Sequence, residues 1–238
     1  MLPWLADVLR DAGLTVVEMD GWRTRTRSGS FRPSGIVWHH TATSREASDS
    51  NVDRLLRDGR PDLAGPLSQL GLRRDGSFVI VAAGRANHNG YGTWGNDSIG
   101  IEAYNDGVGE PWPAAQIDAY VRGTAAICEH QGWGADRVKA HRETDPGRKV
   151  DPRGIDMDGA RSRIARLLST PSTPTTPQED DVKNYTVLVI KDKGFHVLTP
   201  VGTRIWIPTI EDVGAWLDAG AAKATITERQ LNVIPEAA

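Results

Sequence analysis

The chain has 238 residues, of which 39% are hydrophobic and 25% are charged, and it carries a net charge of −3. This length allows one domain of ordinary size plus a smaller module, and the charge excludes the strongly basic surface of a general nucleic-acid binder. The single cysteine, Cys128, excludes an intrachain disulfide and favours synthesis in a reducing cytoplasm.

The N-terminal residues predict a short amphipathic helix. Apolar residues recur at helical spacing over residues 2–12, and acidic and basic residues interrupt the run. We therefore expect neither a signal peptide nor a membrane span here. Because no later run of about 18 apolar residues occurs, we expect no membrane insertion elsewhere.

Helix and strand signals alternate from there to residue 168. The Asp75-Gly76 pair between two apolar runs is a strong hairpin signal, and Gly132 is a typical helix end. The pattern predicts strands at 35–40, 98–105 and 137–141, a hairpin at 67–84, and helices at 47–58, 113–131 and 154–168. The predicted fold class is α/β, with a central mixed β-sheet flanked by helices.

A Pro/Ser/Thr-rich stretch at residues 169–182 separates this domain from the C-terminal residues. Such a composition cannot bury a core and is typical of an extended linker. Residues 183–238 predict a small α+β module, with two or three strands within 185–209 and a short helix at 211–219. Its aromatic residues Phe195, Trp206 and Trp216 are candidates either for wall binding or for the module's own core.

Two distant segments carry a candidate metal site. GIVWHHTATS contains His39 and His40, and AHRETDPGRKVDP contains His141, Lys149 and Asp151. Two imidazoles and a carboxylate are a common ligand set for catalytic zinc, with one position left open for water. Since neighbouring side chains of a strand point to opposite faces, only one of the two adjacent histidines can be a ligand. Spacing alone does not choose between them.

Two further residues fit the chemistry of amide hydrolysis. Glu102 stands in SIGIEAYN, an otherwise apolar strand, where burial would raise its pKa and suit it to general-base work. Lys149 would stabilise a tetrahedral oxyanion as a fixed positive charge. The alternatives are a paired structural carboxylate for Glu102 and a solvated loop residue for Lys149.

These motifs resemble the type-2 N-acetylmuramoyl-L-alanine amidases, a zinc family that shares its fold with peptidoglycan-recognition proteins. The matching pieces, in family order, are IVWHHTA, LGLRRDGSFVIVAAGRANHNG, SIGIEAYN and AHRETDPGRKVDP. The resemblance implies that His39, rather than His40, binds zinc together with His141 and Asp151. It also implies that Glu102 and Lys149 are the catalytic pair. Many members have cysteine as the third ligand, and aspartate resembles the branch of cytosolic anhydro-muropeptide amidases.

The resemblance also suggests residues around the substrate groove. His88, in RANHNGYG, is expected either to contact substrate or to structure its loop. Candidates for the same groove are Asn89, Tyr91 and Trp94. Thr41 is expected to hydrogen-bond to the ligand set without touching the ion, and Trp38 and His40 are expected to be core residues of the opposite sheet face.

The implied activity is hydrolysis of the amide between N-acetylmuramic acid and L-alanine in bacterial peptidoglycan. We expect a phage endolysin, made in the host cytoplasm, that acts at the cell wall after membrane permeabilisation. One alternative is a cytosolic amidase that recycles soluble muropeptides. Another is a non-catalytic peptidoglycan-recognition protein, although such relatives typically lack a metal ligand and this sequence has all three.

Overall fold

The computed structural model describes residues 1–169 and four strands of the C-terminal part, at 186–190, 194–198, 204–207 and 222–225. The chain divides into two compact units, Met1–Thr170 and Pro171–Ala238. The predicted linker at 169–182 lies outside the described residues, except for Ser169, which ends the last helix of the first unit.

Six strands of the first unit form its central sheet. They are β1 (Val16–Glu18), β2 (Ile36–His40), β5 (Leu70–Leu72), β6 (Phe78–Ile80), β7 (Ile99–Ala103) and β8 (Val138–Ala140), and β3 (Gly59–Arg60) pairs with β4 (Leu63–Ala64) in a separate hairpin. The strand order is β1-β6-β5-β7-β2-β8. Only β5 and β6 pair antiparallel, so the predicted mixed sheet is confirmed.

Five helices accompany the sheet in the first unit: α1 (Leu5–Asp11), α2 (Asp49–Asp58), α3 (Ala114–Gln131), α4 (His141–Thr144) and α5 (Met157–Ser169). The long helix α3 ends at Gly132, whose left-handed backbone (φ 66°) closes the helix as the sequence predicts. Among the residues that the structure describes, no helix is long and apolar enough to cross a membrane.

The alternation of side chains along the strands builds a different core on each face of the sheet. Ile36, Trp38 and Ile101 point to the face that α1, α3 and α5 cover, and they belong to the larger core. Val79 and Val81 point to the other face, where they pack with residues of α2 in a smaller core. The second face is therefore only partly covered by a helix, and the candidate site lies there.

Three local features differ from the sequence prediction. Strand β1 and the β3–β4 hairpin have only two or three residues per strand, too few for a period to show. His141, predicted as the last residue of a strand, instead begins helix α4. The reason is a local cap: the Glu143 carboxylate accepts the backbone N–H of Ala140 at 2.7 Å, which turns the chain into a helix at that point.

The described part of the C-terminal unit is a four-stranded sheet. Strands β9 (Thr186–Ile190), β10 (Gly194–Leu198), β11 (Arg204–Ile207) and β12 (Ala222–Thr225) lie in the order β11-β10-β9-β12. Strand β12 joins parallel to β9, while the other pairs are antiparallel. The helix predicted at 211–219, Trp216 and the surroundings of Phe195 and Trp206 lie outside the described residues.

Candidate metal centre

Two strands bring the first candidate ligand and the predicted catalytic carboxylate together. Strands β2 and β7 run parallel, with His39 directly opposite Glu102. Cross-strand partners point to the same face, so both side chains project from the less covered side of the sheet. Nδ1 of His39 lies 3.9 Å from Oε1 of Glu102.

The short helix α4 and the segment after it position the other two candidate ligands. His141 is its first residue, and the backbone N–H of Arg142 donates to the carbonyl of Asp151 at 2.9 Å. The guanidinium of Arg142 also donates to the carbonyls of Pro152 and Ile155. The hydrogen bonds of Arg142 thus hold the segment that contains Asp151 against α4, and Asp151 lies beside His141. Sequence reasoning missed this role, because an arginine next to a ligand carries no signal of what it binds.

Three ligand atoms converge on one point. Nδ1 of His39 lies 2.9 Å from Nδ1 of His141, and each nitrogen lies 3.0 Å from Oδ2 of Asp151. Zinc is typically about 2.0–2.2 Å from nitrogen and oxygen ligands, so one ion can contact three atoms spaced in this way. Among the residues that the structure describes, these three form a group that could hold a metal ion, and their chemistry fits a divalent one.

The charges of this group favour a cation. Burial opposes ionisation of Asp151, but hydrogen bonds from His141 and His39 hold the pKa of its carboxyl well below the ordinary range. Burial lowers the pKa of His39 to about 4, so its ring is neutral at physiological pH. A neutral imidazole and an ionised carboxylate are the forms that bind metal.

Glu102 lies beside this triangle. Its side chain is 15% exposed, and its Oε2 atom has no hydrogen-bond partner among the described residues. Burial, and secondarily the negative charge of Asp151, raise the pKa of Glu102 to about 8. A buried carboxylate with a free oxygen and a raised pKa is typical of a general base.

A cleft of about 330 Å³ opens beside the triangle and contains the predicted catalytic lysine. Leucines from α2 and the β3–β4 region form one wall, and the positively charged Arg60, Arg148 and Lys149 line other parts. The charge of Lys149 acts on Glu102, where it opposes the rise in pKa. Glu102, His141 and Asp151 also line this cleft, so both predicted catalytic residues and two of the three predicted metal ligands share one cavity.

The two adjacent histidines have different environments. His39 is 1% exposed and faces the triangle, while Trp38 is fully buried in the larger core, as predicted. His40 was expected to be core as well, but it is half-buried, lines the cleft, and accepts the backbone N–H of Arg153 at Nδ1. It is the last residue of β2, and the other four residues of the strand are buried.

Of the four predicted groove residues, all of which the structure describes, only His88 lines the cleft. Asn89 is buried and donates to the carbonyls of Thr93 and Gly95, so it structures its own loop. Tyr91 is 96% exposed. The ring of Trp94 lies beneath the ammonium of Lys139, with 5.7 Å between the nitrogen and the ring centroid.

Thr41 also lines the cleft, but its hydroxyl bonds elsewhere than expected. It contacts the hydroxyl of Thr43 at 2.7 Å and accepts the backbone N–H of Asn105 at 3.4 Å. The side chain that supports the backbone of the ligand strand is instead Tyr120 of α3. Its hydroxyl accepts the N–H of His39 at 2.9 Å, a contact that sequence spacing could not reveal.

The residues of this site lie within the part of the chain that a protein-family model matches. The family model described as N-acetylmuramoyl-L-alanine amidase matches residues 29–154, which include all three ligand candidates, Glu102 and Lys149. The chain belongs to this amidase family. It is therefore an enzyme that acts on peptidoglycan, rather than a non-catalytic recognition protein. No curated protein matches the chain.

Several solved structures are similar to this amidase. The catalytic domain of XlyA is 16% identical and aligns with a TM-score of 0.50, covering 63% of this chain and 99% of that one. AmpD, as a selenomethionine derivative, is 24% identical (65% and 94% covered, TM-score 0.49). The endolysin amidase LysCS from Clostridium intestinale is 17% identical (63% and 95% covered, TM-score 0.49). At these identities the likeness to XlyA supports the fold alone.

Proposed function

We propose that this amidase is zinc-dependent and cleaves the amide between the lactyl group of N-acetylmuramic acid and L-alanine. The observation that carries the proposal is the convergence of His39, His141 and Asp151 on one point through three atoms about 3 Å apart. Zinc bound there would supply a Lewis acid that polarises the scissile carbonyl and lowers the pKa of water. Two of the three residues that would hold the ion, His141 and Asp151, line the cleft.

Glu102 is the residue we assign to proton transfer. Its raised pKa makes it a stronger base than an ordinary glutamate, and its unpartnered Oε2 is available to a proton. It takes a proton from the attacking water as the C–O bond forms, and it returns that proton to the leaving nitrogen as the C–N bond breaks. The products are the lactyl carboxylate and the free amine of L-alanine.

Lys149 is assigned to the negative charge that develops on the carbonyl oxygen. It lines the same cleft, and its charge already acts on both His39 and Glu102. A fixed cation at that place stabilises the transition state more than the uncharged ground state.

Removal of the metal tests the zinc assignment directly. Purified peptidoglycan should yield new amino groups of L-alanine and no new reducing sugar ends. This release should stop after treatment with a chelator and return with stoichiometric zinc. His141→Ala should lose both zinc and activity, while His130→Ala, at an exposed histidine, should keep both. Full activity of the chelated enzyme or of His141→Ala would contradict the zinc assignment.

We further propose that this amidase is a phage lysin that degrades intact wall. A second compact unit follows a Pro/Ser/Thr-rich segment, an arrangement that suits tethering to an insoluble substrate. We expect faster cleavage of whole sacculi than of soluble muropeptides, and loss of this preference when residues 183–238 are deleted. A preference for soluble muropeptides would instead favour the recycling amidase.

The proposed place of action is the wall of the cell that makes the protein. The lone, buried Cys128 fits synthesis in a reducing cytoplasm. Cells that express the chain should remain intact until their membrane is permeabilised, and should then lyse. An inactive Glu102→Gln chain provides the matched control. Lysis without permeabilisation would contradict this route.

A further inference from the structure

A buried carboxylate on helix α2 joins that helix to the sheet. Oδ1 of Asp53 accepts the hydroxyl hydrogen of Tyr104, the residue that follows β7, and Oδ2 accepts an N–H of Arg73 at 2.6 Å. Nε of Arg73, which follows β5, also lies 3.7 Å from a carboxylate oxygen of Asp49 in the first turn of α2. The helix and the ends of two strands therefore meet at one carboxylate. We call Asp53, Tyr104 and Arg73 the Asp53 cluster.

The same helix supplies part of the cleft. Leu55 and Leu56 follow Asp53 in α2 and line the cleft together with Leu63 and Leu67; these four residues are the leucine wall. The backbone N–H of Leu67 donates to the carbonyl of Leu56 at 2.7 Å, which attaches the segment after α2 to the helix. The position of α2 therefore determines the position of the leucine wall.

The leucine wall lies one strand away from the predicted catalytic carboxylate. Gly71 of β5 pairs with Glu102 of β7, so both residues belong to the less covered face of the sheet. A Cβ atom at Gly71 would lie 3.0 Å from Cδ1 of Leu56 and 3.0 Å from the hydroxyl oxygen of Tyr104. Leu56 and Tyr104 thus fill the space that a side chain at position 71 would occupy. A displacement of α2 would move the wall relative to Glu102.

The members of the Asp53 cluster cannot act by touching a substrate in the cleft. The structure describes all three residues, and none of them lines the cleft. Asp53 and Tyr104 are buried, and the side chain of Arg73 is only 19% exposed. Solvent screens such a pair weakly, and removal of one partner leaves the others unsatisfied. An effect of the cluster on the substrate must therefore pass through α2.

We propose that Asp53, Tyr104 and Arg73 are positioning residues, which hold α2 so that the leucine wall contacts the substrate beside the scissile amide. This assignment rests on the proposed function, because the lactyl group and L-alanine each carry a methyl group that an apolar wall can contact. Proton transfer by Glu102 does not involve the cluster. Breaking the cluster should therefore raise KM and leave kcat nearly unchanged.

The first experiment separates KM from kcat, using release of L-alanine amino groups from a soluble N-acetylmuramoyl peptide. Tyr104→Phe keeps the ring and removes the donor. We expect its KM to rise about 5- to 10-fold, because the apparent affinity falls with the fraction of chains that hold the wall in place. Arg73→Met should act in the same way, and Arg73→Lys, which keeps a charge near Asp53, should recover much of the loss. An unchanged KM in folded Tyr104→Phe and Arg73→Met would overturn the proposal.

The second experiment measures hydrogen exchange and shows whether the cluster holds α2. In Tyr104→Phe, the amides of Asp49–Asp58 should exchange at least about 10-fold faster than in the wild type, while those of α3 should keep their protection. This local loss is expected because α2 would open without unfolding of the larger core. Unchanged protection of α2 in Tyr104→Phe would show that the hydroxyl does not hold the helix.

Gly123→Ala is the matched control for a general loss of stability. Its added Cβ would press on Phe78 in the larger core, on the other face of the sheet from α2, and KM should not change. If Gly123→Ala raises KM as much as Tyr104→Phe does, the positioning role is wrong. If the wild type releases no L-alanine amino groups, the proposed function fails, and hydrogen exchange still decides whether the Asp53 cluster holds α2.

Discussion

The phenol of Tyr120 offers a sharp test of how the ligand strand is supported. The ring is buried and stacks on Trp38, with centroids 3.7 Å apart and planes at 17°. The hydroxyl accepts the N–H of His39 at 2.9 Å and can donate to the carbonyl of Ile101 at 2.8 Å or to that of His39 at 3.0 Å. Tyr120→Phe removes the oxygen while keeping the stacked ring.

The expected loss follows from the groups left without a partner. A hydroxyl has one hydrogen, so the change removes one accepted and one donated hydrogen bond. It leaves the His39 N–H and one carbonyl unsatisfied in a buried place. Each buried unsatisfied group costs about 1–3 kcal/mol, and the retained ring avoids a large cavity. With two such groups, we expect the free energy of unfolding of Tyr120→Phe to fall by about 2–6 kcal/mol.

Urea unfolding of the metal-free chain measures this loss, and Tyr91→Phe is the matched control. Tyr91 is 96% exposed, so removing its hydroxyl should change the free energy of unfolding by less than about 0.5 kcal/mol. Hydrogen exchange locates the effect, because the amide of His39 should lose protection first. If Tyr120→Phe unfolds at the same urea concentration as the control, the hydroxyl does not stabilise the strand and the reasoning fails.

Three further predictions concern other parts of the molecule. Hydrogen bonds from an arginine and a tryptophan lower the pKa of Glu18 from its ordinary 4.5 to about 2. The ionised Glu18 carboxylate therefore stabilises the fold above pH 4.5, and this contribution is lost as the pH falls towards 2. Glu18→Gln should remove about 1–2 kcal/mol of that pH dependence in unfolding experiments, and an unchanged profile would contradict it. Gly123→Ala would place a Cβ 2.5 Å from the ring of Phe78. Although alanine is the better helix former, this change should lower the free energy of unfolding by about 1–3 kcal/mol. Gly109→Ala is the control and should not destabilise the fold, because a Cβ there meets no atom within 4 Å. Glu102→Gln should keep one zinc per chain and lose at least about 100-fold in the release of L-alanine amino groups; near-normal release would refute its role in proton transfer.

Sequence patterns sufficed where a local signal determines structure. The Asp75-Gly76 turn pairs β5 with β6 as predicted, and Gly132 ends α3 because a left-handed cap suits glycine. Two histidine-containing segments and Asp151 pointed to a metal group, the family resemblance implied His39 rather than His40, and the structure brings His39, His141 and Asp151 together. In each of these cases the physics acts within a few residues, or the residue type itself carries the chemistry.

Where contacts arise from tertiary packing, the sequence was a poor guide. Asn89 and Trp94 stand beside His88 in the sequence, yet the loop turns their side chains away from the cleft that His88 lines. The apolar wall of the cleft comes partly from the β3–β4 region, whose two-residue strands show no period. The positions of these side chains depend on the conformation of turns, which the pattern of polar and apolar residues in one sequence does not specify.

The choice between His39 and His40 shows how the core determines the site. A slip of one residue in β2 would turn His39 towards the helices and send its neighbours to the cleft side. Trp38 opposes that slip, because it stacks on Tyr120 and donates from Nε1 to the hydroxyl of Thr124 at 2.9 Å. The slipped register would expose a large ring and leave a buried hydroxyl without its donor. The larger core on the helical face thus selects His39, rather than His40, as the candidate ligand on the opposite face.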